Sequence, residues 1–291
     1  MIITAVIRKT FTGARRLTRM PGFWRAAGAA GAVLAVLLVV EVAAARVRGL
    51  PVFRVDASRI TLGGRPAWVG ACLEDEIVRA LRAEGVVSLA DPRLTARVAN
   101  IFRACPWVKR VSRVGKRFPA ELELDVEIRR PAACVRMKTR DILLSEDGVV
   151  LPWRHYQPSP GLALPAITGV ASAPPAEGKP WTGQDVGDAL ALLRRLGEEG
   201  MIHSYAITGV DVSNFGGRRD GRASEVVLWT RHRGYIKWGA PLAREERFGH
   251  LDAVEKIRKL RGLIEEQPRL AEGGWSYIDI RFDDAAILPR S

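Results

Sequence analysis

Reactive side chains are scarce in this sequence. Among its 291 residues there are three cysteines and four histidines. Cys72, Cys105 and Cys134 form no CxxC pair and no metal-ligand spacing, which excludes a zinc ribbon and a disulfide-dense scaffold. Each reads as a small buried residue. His155, His203, His232 and His250 are scattered, with no HExxH and no triad pattern. A GxSxG nucleophile elbow is absent as well. Gly63-Gly64 is followed by no immediate helix start that could cradle a phosphate. The acid pairs at 198–199 and 283–284 read as a helix end and a solvated turn, not as an acid–base couple. No catalytic, metal or cofactor residue is therefore expected, and the chain reads as non-enzymatic. What it has left to work with is surface.

Basic charge is present in excess, but unevenly. The formal net charge of +13 would by itself suggest nucleic acid. Residues 1–50 hold eight Arg or Lys against one acid, Glu41, and carry +7, while the remaining 241 residues carry +6. An excess crowded beside an apolar run points to a membrane surface, and no nucleic-acid partner is expected. The run is AAGAAGAVLAVLLVVEVAAA at 26–45, twenty residues with a single charge. As a helix it spans about 30 Å, the hydrocarbon thickness of a bilayer. Six basic residues precede it and Arg46 and Arg48 follow. The positive-inside rule then expects a cytoplasmic tail over 1–25 and export of everything beyond about residue 46. Phe23 and Trp24 stand where interfacial aromatics belong. Ala43-Ala44-Ala45 also fits a signal-peptide cleavage site, but the long basic region and the length of the run favour an anchor that stays.

Beyond the run the apolar pattern changes period. Val52-Phe53-Arg54-Val55 reads as a strand, and Leu73, Ile77, Ala80 and Leu81 repeat at helical spacing. Asp91-Pro92 opens a second helix, striped by Leu94, Val98, Ile101 and Phe102, that stops near Cys105-Pro106. The stretch PWVKRVSRVGKRFPAELELDVEIRRP, residues 106–131, reads as a hairpin. In its second arm Leu122, Leu124, Val126 and Ile128 alternate with Glu121, Glu123, Asp125, Glu127 and Arg129. Lys109, Arg110, Arg113, Lys116 and Arg117 lie on or beside the first arm, so opposite charges meet across the strands. Pro131 suits an edge for the second arm.

The C-terminal half reads as a helix at 183–196, with Val186, Ala189, Leu190, Leu193 and Leu196 on one side. Strands follow at Tyr205–Val212, Glu225–Thr230 and Gly234–Trp238, with a polar loop at 216–221. A helix at about 244–266 carries Phe248, Leu251, Val254, Ile257, Leu260 and Ile264 on its apolar side. Asp252→Lys256 and Glu255→Lys259 pairs one turn apart support it. The last strand is YIDIRFDDAAIL, 277–288.

These stretches resemble the FtsQ/DivIB family of cell-division proteins. PWVKRV, a basic turn and FPAELELDVEIRRPAA look like the signature of that family's polypeptide-transport-associated (POTRA) domain, with Glu127 and Arg129-Arg130-Pro131 close to its Glu-Arg-x-Pro. ILLSEDGVVLP (142–152) resembles the strand and turn that follow, with Ser145 and Glu146 in place of the more usual residues. LPAITG (164–169), Lys237-Trp238-Gly239 and Ile278-Asp279-Ile280-Arg281 resemble later motifs of the family in the same order. The resemblance implies an α+β fold with a basic cytoplasmic tail (1–25) and a transmembrane helix (26–45). A small βααββ POTRA-like domain would follow at 50–135, then a mixed β-sheet domain with two helices at 136–291.

It implies further a bitopic divisome scaffold in the cytoplasmic (inner) membrane at the division septum, N-terminus in the cytoplasm and both domains outside. FtsB- and FtsL-like proteins would dock at the C-terminal strand, and other membrane-embedded division proteins on the POTRA-like domain, its helix near 92–104 being the natural candidate. The partner-binding residues so implied are Arg281, facing a partner acid, with Phe282, Asp284 and Ile287, the backbone of 282–287 offering strand pairing. Asp279 is expected to be structural. Two other classes stay open. A POTRA-containing envelope assembly or secretion component would show tandem units or a C-terminal barrel pattern, and the sequence has neither. A basic cell-wall-binding protein would bind anionic polymer in a salt-sensitive way.

Overall fold

The computed structural model describes residues 23–48, 50–55, 60–62, 66–83, 85, 88–118, 120–159, 164–244 and 251–290. The basic tail before residue 23, Phe248 and His250 lie outside the described residues. The apolar run forms helix α1, Phe23–Arg48, about 39 Å long at 1.5 Å per residue. Its stretch Gly28–Val47 has a mean hydropathy of 2.3 and is not buried against the rest of the chain, so it is long and apolar enough to cross a membrane.

Two backbone bonds carry the turn onward from α1. Leu50 N donates to Val47 O (3.2 Å) and Phe53 N to Leu50 O (3.1 Å), ending in a 3-10 turn at Pro51–Phe53. Residues 52–55 are therefore not a strand; Pro51, with its φ fixed near the helical value, starts a turn there. Arg54 makes one isolated bridge to Ser88, and the strand of this region is β1, Ile60–Leu62.

Helix α2, Cys72–Ala83, buries Leu73, Ile77 and Leu81, while Ala80 faces solvent. Asp91 Oδ1 accepts from Arg93 N (2.9 Å) just ahead of α3, Leu94–Ala104, which buries Leu94, Val98, Ala99 and Phe102. Cys105 is extended (φ −75°, ψ 123°), as the residue before a proline should be. Strands β2, Val108–Arg117, and β3, Glu121–Ile128, form the hairpin with Arg110 opposite Glu127, Arg113 opposite Asp125 and Arg117 opposite Glu121. Lys109 Nζ stands 2.7 Å from Glu127. The charged ribbon is thus a ladder of cross-strand partners. β3 is not an edge, because β1 pairs parallel along its other side and the sheet order is β1-β3-β2.

Pro131 instead opens β4, Pro131–Arg136, which belongs along its length to a second sheet. The further strands are β5 Asp141–Ser145, β6 Val150–Leu151, β7 Ala166–Thr168 and β8 Ile207–Asp211. They continue as β9 Val226–Thr230, β10 Tyr235–Gly239, β11 Trp275–Asp279 and β12 Ala286–Pro289. Their order is β12-β11-β10-β9-β8-β7-β4-β5-β6, a mixed nine-stranded sheet. Among the described residues three α-helices accompany it where two were expected: α4 Gln184–Glu198, the single turn α5 Met201–Ser204, and α6 Ala253–Glu266. Val186, Leu193 and Leu196 of α4 and Ile257 and Leu260 of α6 share one core with Val210, Leu228, Ile236 and Ile278 of the strands. Gly169 ends β7 at φ +75°, and a Cβ there would stand 2.5 Å from Ser213, so the family-like LPAITG motif needs its glycine.

In α6, Asp252 Oδ1 accepts from Glu255 N (2.8 Å) and caps the helix. Val254 is exposed, and Lys256 is fully buried with its ammonium 5.0 Å from the Trp238 ring. None of the cysteines is fully buried: Cys72 is exposed, Cys105 and Cys134 half-buried. Burial pushes the Cys105 thiol up and the Cys134 thiol up to about 11, which keeps both protonated at neutral pH.

The two sheets meet over a second core. Val98, Phe102 and Trp107 from the first region pack with Leu143 of β5 and Leu151 of β6. Trp107 Nε1 donates to Pro152 O (3.3 Å), and Gly70 N to His155 O (2.9 Å). The His155 ring lies 2.6 Å from Glu76, and Arg154 bonds Glu177 at 2.9 Å.

Candidate protein-docking edge

The nine-stranded sheet ends differently on its two sides. Beside β6, Val150 N donates to Lys179 O (3.1 Å), Gly178 N donates to Val150 O (2.8 Å), and Val149 bridges Pro180. That edge is covered. At the far end β12 pairs antiparallel with β11, Tyr277 opposite Leu288, Ile278 opposite Ile287 and Asp279 opposite Ala286. Among the described residues no strand occupies its outer side. An unoccupied edge presents backbone N–H and C=O groups to any chain that can lie along it. Arg290 fastens the end of the strand: its N donates to Gly274 O (3.0 Å) and its guanidinium to His232 O and Arg233 O at 3.0 and 2.9 Å.

The stretch expected as one strand, 277–288, is two strands joined by a bend at 280–285. Arg281 builds that bend. Its Nε and one Nη reach the two carboxylate oxygens of Asp279 at 2.9 and 2.8 Å, and its other Nη donates to Arg222 O at 3.0 Å. Lys259 Nζ donates to Phe282 O (2.7 Å) and also to Asp283 O, and Leu251 N donates to Arg281 O (3.0 Å). The Asp283–Asp284 pair is a solvated turn.

Burial alone would raise the Asp279 pKa, but the Arg281 guanidinium and, more weakly, Lys237 hold it below the ordinary 3.8. A depressed carboxylate contributes stability above its unfolded pKa and loses it as pH falls through the folded value. An Asp279→Asn chain should therefore be less stable than wild type at pH 7. The gap should narrow once pH drops below about 3.8, as urea midpoints measured across pH would show.

Beside the edge, a row of apolar side chains crosses the sheet on the face away from α4 and α6. Strand register sets Trp229, Tyr235, Tyr277 and Leu288 in line on β9, β10, β11 and β12. The Trp229 and Tyr235 rings are 5.4 Å apart, and Tyr235 stacks on Tyr277 at 5.7 Å and 29°. Lys237 Nζ lies 3.8 Å over the Tyr277 ring. Trp229 is 40% and Leu288 48% exposed. The arrangement offers a flat, half-wet aromatic floor that ends at an open strand. The described residues hold no cluster of His, Cys, Asp or Glu able to take a metal.

No model of a known protein family matches the chain. It is 27% identical over 266 residues to the cell division protein FtsQ of Anaeromyxobacter sp. (strain K), an alignment covering 86% of this chain and 78% of that one. The chain is FtsQ-like.

Placed on this FtsQ-like chain, the residues expected at the partner site separate. Phe282 and Asp284 are exposed on the bend, whereas Ile287 is half-buried against the main core. Arg281 has its guanidinium engaged within its own sheet. The strand that can pair is 286–289, later than the expected 282–287. Sequence reading missed Trp229, Tyr235, Tyr277 and Leu288. The signal was present in VVLWT and YIKWG, where Trp229 and Tyr235 alternate with buried Leu228 and Ile236, but the strand register that aligns them was not. On α3 of the FtsQ-like chain the outward side is polar, with Arg97 3.2 Å from Asp91 and Arg103 bonded to Asn100 at 3.0 Å.

Proposed function

We propose that the FtsQ-like chain is a bitopic, non-enzymatic scaffold of the division machinery, held in the cytoplasmic membrane by α1 with its two sheets outside. FtsB- and FtsL-like proteins would add a strand to the outer side of β12. The observation that carries this reading is the contrast between the covered β6 edge and the open β12 edge beside an exposed aromatic row.

Backbone pairing along 286–289 would supply affinity in a sequence-tolerant way, while Leu288 and Phe282 would give apolar contacts that select the partner. Asp284 would face a partner cation. A partner acid would meet Arg281 only on the side that Asp279 leaves open. The region of β1 to β3, through the outer side of α3, would hold other division proteins. Several such modest contacts, confined to one membrane, add through effective concentration.

The tagged full-length chain, purified from membranes in mild detergent, should recover coiled-coil partners of this kind, and a fluorescent fusion should form bands at midcell. Recovery of none, with an even envelope signal, would overturn the reading.

A further inference from the structure

The end of the first region nearest α1 carries a cluster that partner docking at β12 does not use. Phe118, at the tip of the β2–β3 hairpin, is 71% exposed. Its ring lies edge-on to Phe53, centroids 6.3 Å apart. Phe53 is five residues beyond the last residue of α1 and is tied to it by the successive turn bonds at Leu50 and Phe53. Leu50 and Val52 between them are exposed as well.

The hairpin tip is held in that place. Leu89 N donates to Phe53 O (2.8 Å), and Lys116 Nζ donates to Leu89 O (2.8 Å) and to Asp91 O. Arg46 in the last turn of α1, Arg54 next to Phe53 and Arg117 next to Phe118 are exposed. Of the acids on this side, Asp91 pairs with Arg97, Glu121 and Asp125 stand opposite Arg117 and Arg113 across the hairpin, and Glu123 is exposed between them, further from the tip than Arg117 and Phe118.

We infer that the β2–β3 hairpin tip rests on the anionic bilayer surface, Phe118 and Phe53 in the headgroup layer and Arg54 and Arg117 on lipid phosphates. Aromatic rings favour that layer, and basic residues within reach of it gain from the negative surface potential. The inference rests on reading α1 as a membrane anchor. Its consequence is positional, since a second contact besides the tether fixes which way the first sheet faces above the membrane.

The test uses the full chain with Cys72, Cys105 and Cys134 replaced by serine and one new cysteine carrying a polarity-sensitive dye. The three sites are Phe118→Cys, Leu37→Cys within α1 and Val254→Cys on α6. Each chain is placed in nanodiscs of phosphatidylcholine, or of phosphatidylcholine with phosphatidylglycerol, containing doxyl-lipid quencher. The dye at 37 should be quenched in both. In the anionic discs the dye at 118 should be quenched at least about twofold more than that at 254, and Arg117→Glu or high salt should reduce the difference. Quenching at 37 with none at 118 beyond the 254 level overturns the surface contact alone. An unquenched dye at 37 overturns the anchor reading and this inference together. Equal quenching at 118 in neutral and anionic discs overturns the role of the bilayer's net negative charge.

Discussion

A full-length chain carrying Leu288→Asp is expected to lose its strand-adding partner by about 30-fold or more, while melting within a degree or so of wild type. The side chain sits at the free rim of the sheet, nearly half exposed, opposite Tyr277 and at the end of the aromatic row. Nothing in the core rests on it, so replacing it disturbs folding little. A partner laid along β12 would bury this position, and an aspartate there forces an unpaired charge out of water. A lost central contact of about 2 kcal/mol corresponds to about 30-fold in dissociation constant. Charge on an edge strand is also how natural sheets repel incoming strands. Titration of the purified variant against the partner's extramembrane segment reads the effect. An unchanged dissociation constant would remove β12 as the docking edge.

The largest effect on stability is expected from Trp107→Ala. Trp107 is fully buried where the two sheets meet, packed in one core with Val98, Phe102, Leu143 and Leu151, and its indole N–H satisfies Pro152 O. Truncating so large a side chain costs about 3–5 kcal/mol through lost burial and the cavity left behind. For a chain of this size that lowers the melting temperature by about 6–20 °C. Because the core is shared, near-ultraviolet circular dichroism should report the first sheet loosening from the second. A shift under about 2 °C would mean that the junction is not a common core.

Local features were legible in the sequence wherever neighbouring residues decide them. The β2–β3 hairpin could be read because charges alternate with apolar residues along its second arm and opposite charges meet across the strands, Lys109 with Glu127 above all. The stop at Cys105-Pro106 follows from proline's own geometry, whereas α3 opens at Leu94 behind Arg93, two residues past the expected start at Asp91-Pro92, which forms a turn ahead of it. What failed depended on partners far along the chain. β3 looked like an edge because the short β1 strand that pairs with it has little pattern of its own. Residues 277–288 looked like one strand because Asp283-Asp284 interrupts the alternation only briefly, whereas the Asp279–Arg281 pair and Lys259 fold the chain back there. Val254 and Lys256 exchanged their expected places because the Trp238 ring accepts the lysine. The row of Trp229, Tyr235, Tyr277 and Leu288 was hidden for the same reason: four residues from four strands share a line only once the registers are set.

The loop at 178–180 that covers β6 has one more effect. With that flank shut, the nine-stranded sheet can lengthen in a single direction, so among the described residues that sheet has one berth for an added strand. Two copies meeting rim to rim would fill both their berths at once. On the docking mode proposed above, self-association through β12 and capture of a division partner would exclude one another, and crowding these molecules together would by itself withhold them from their partners.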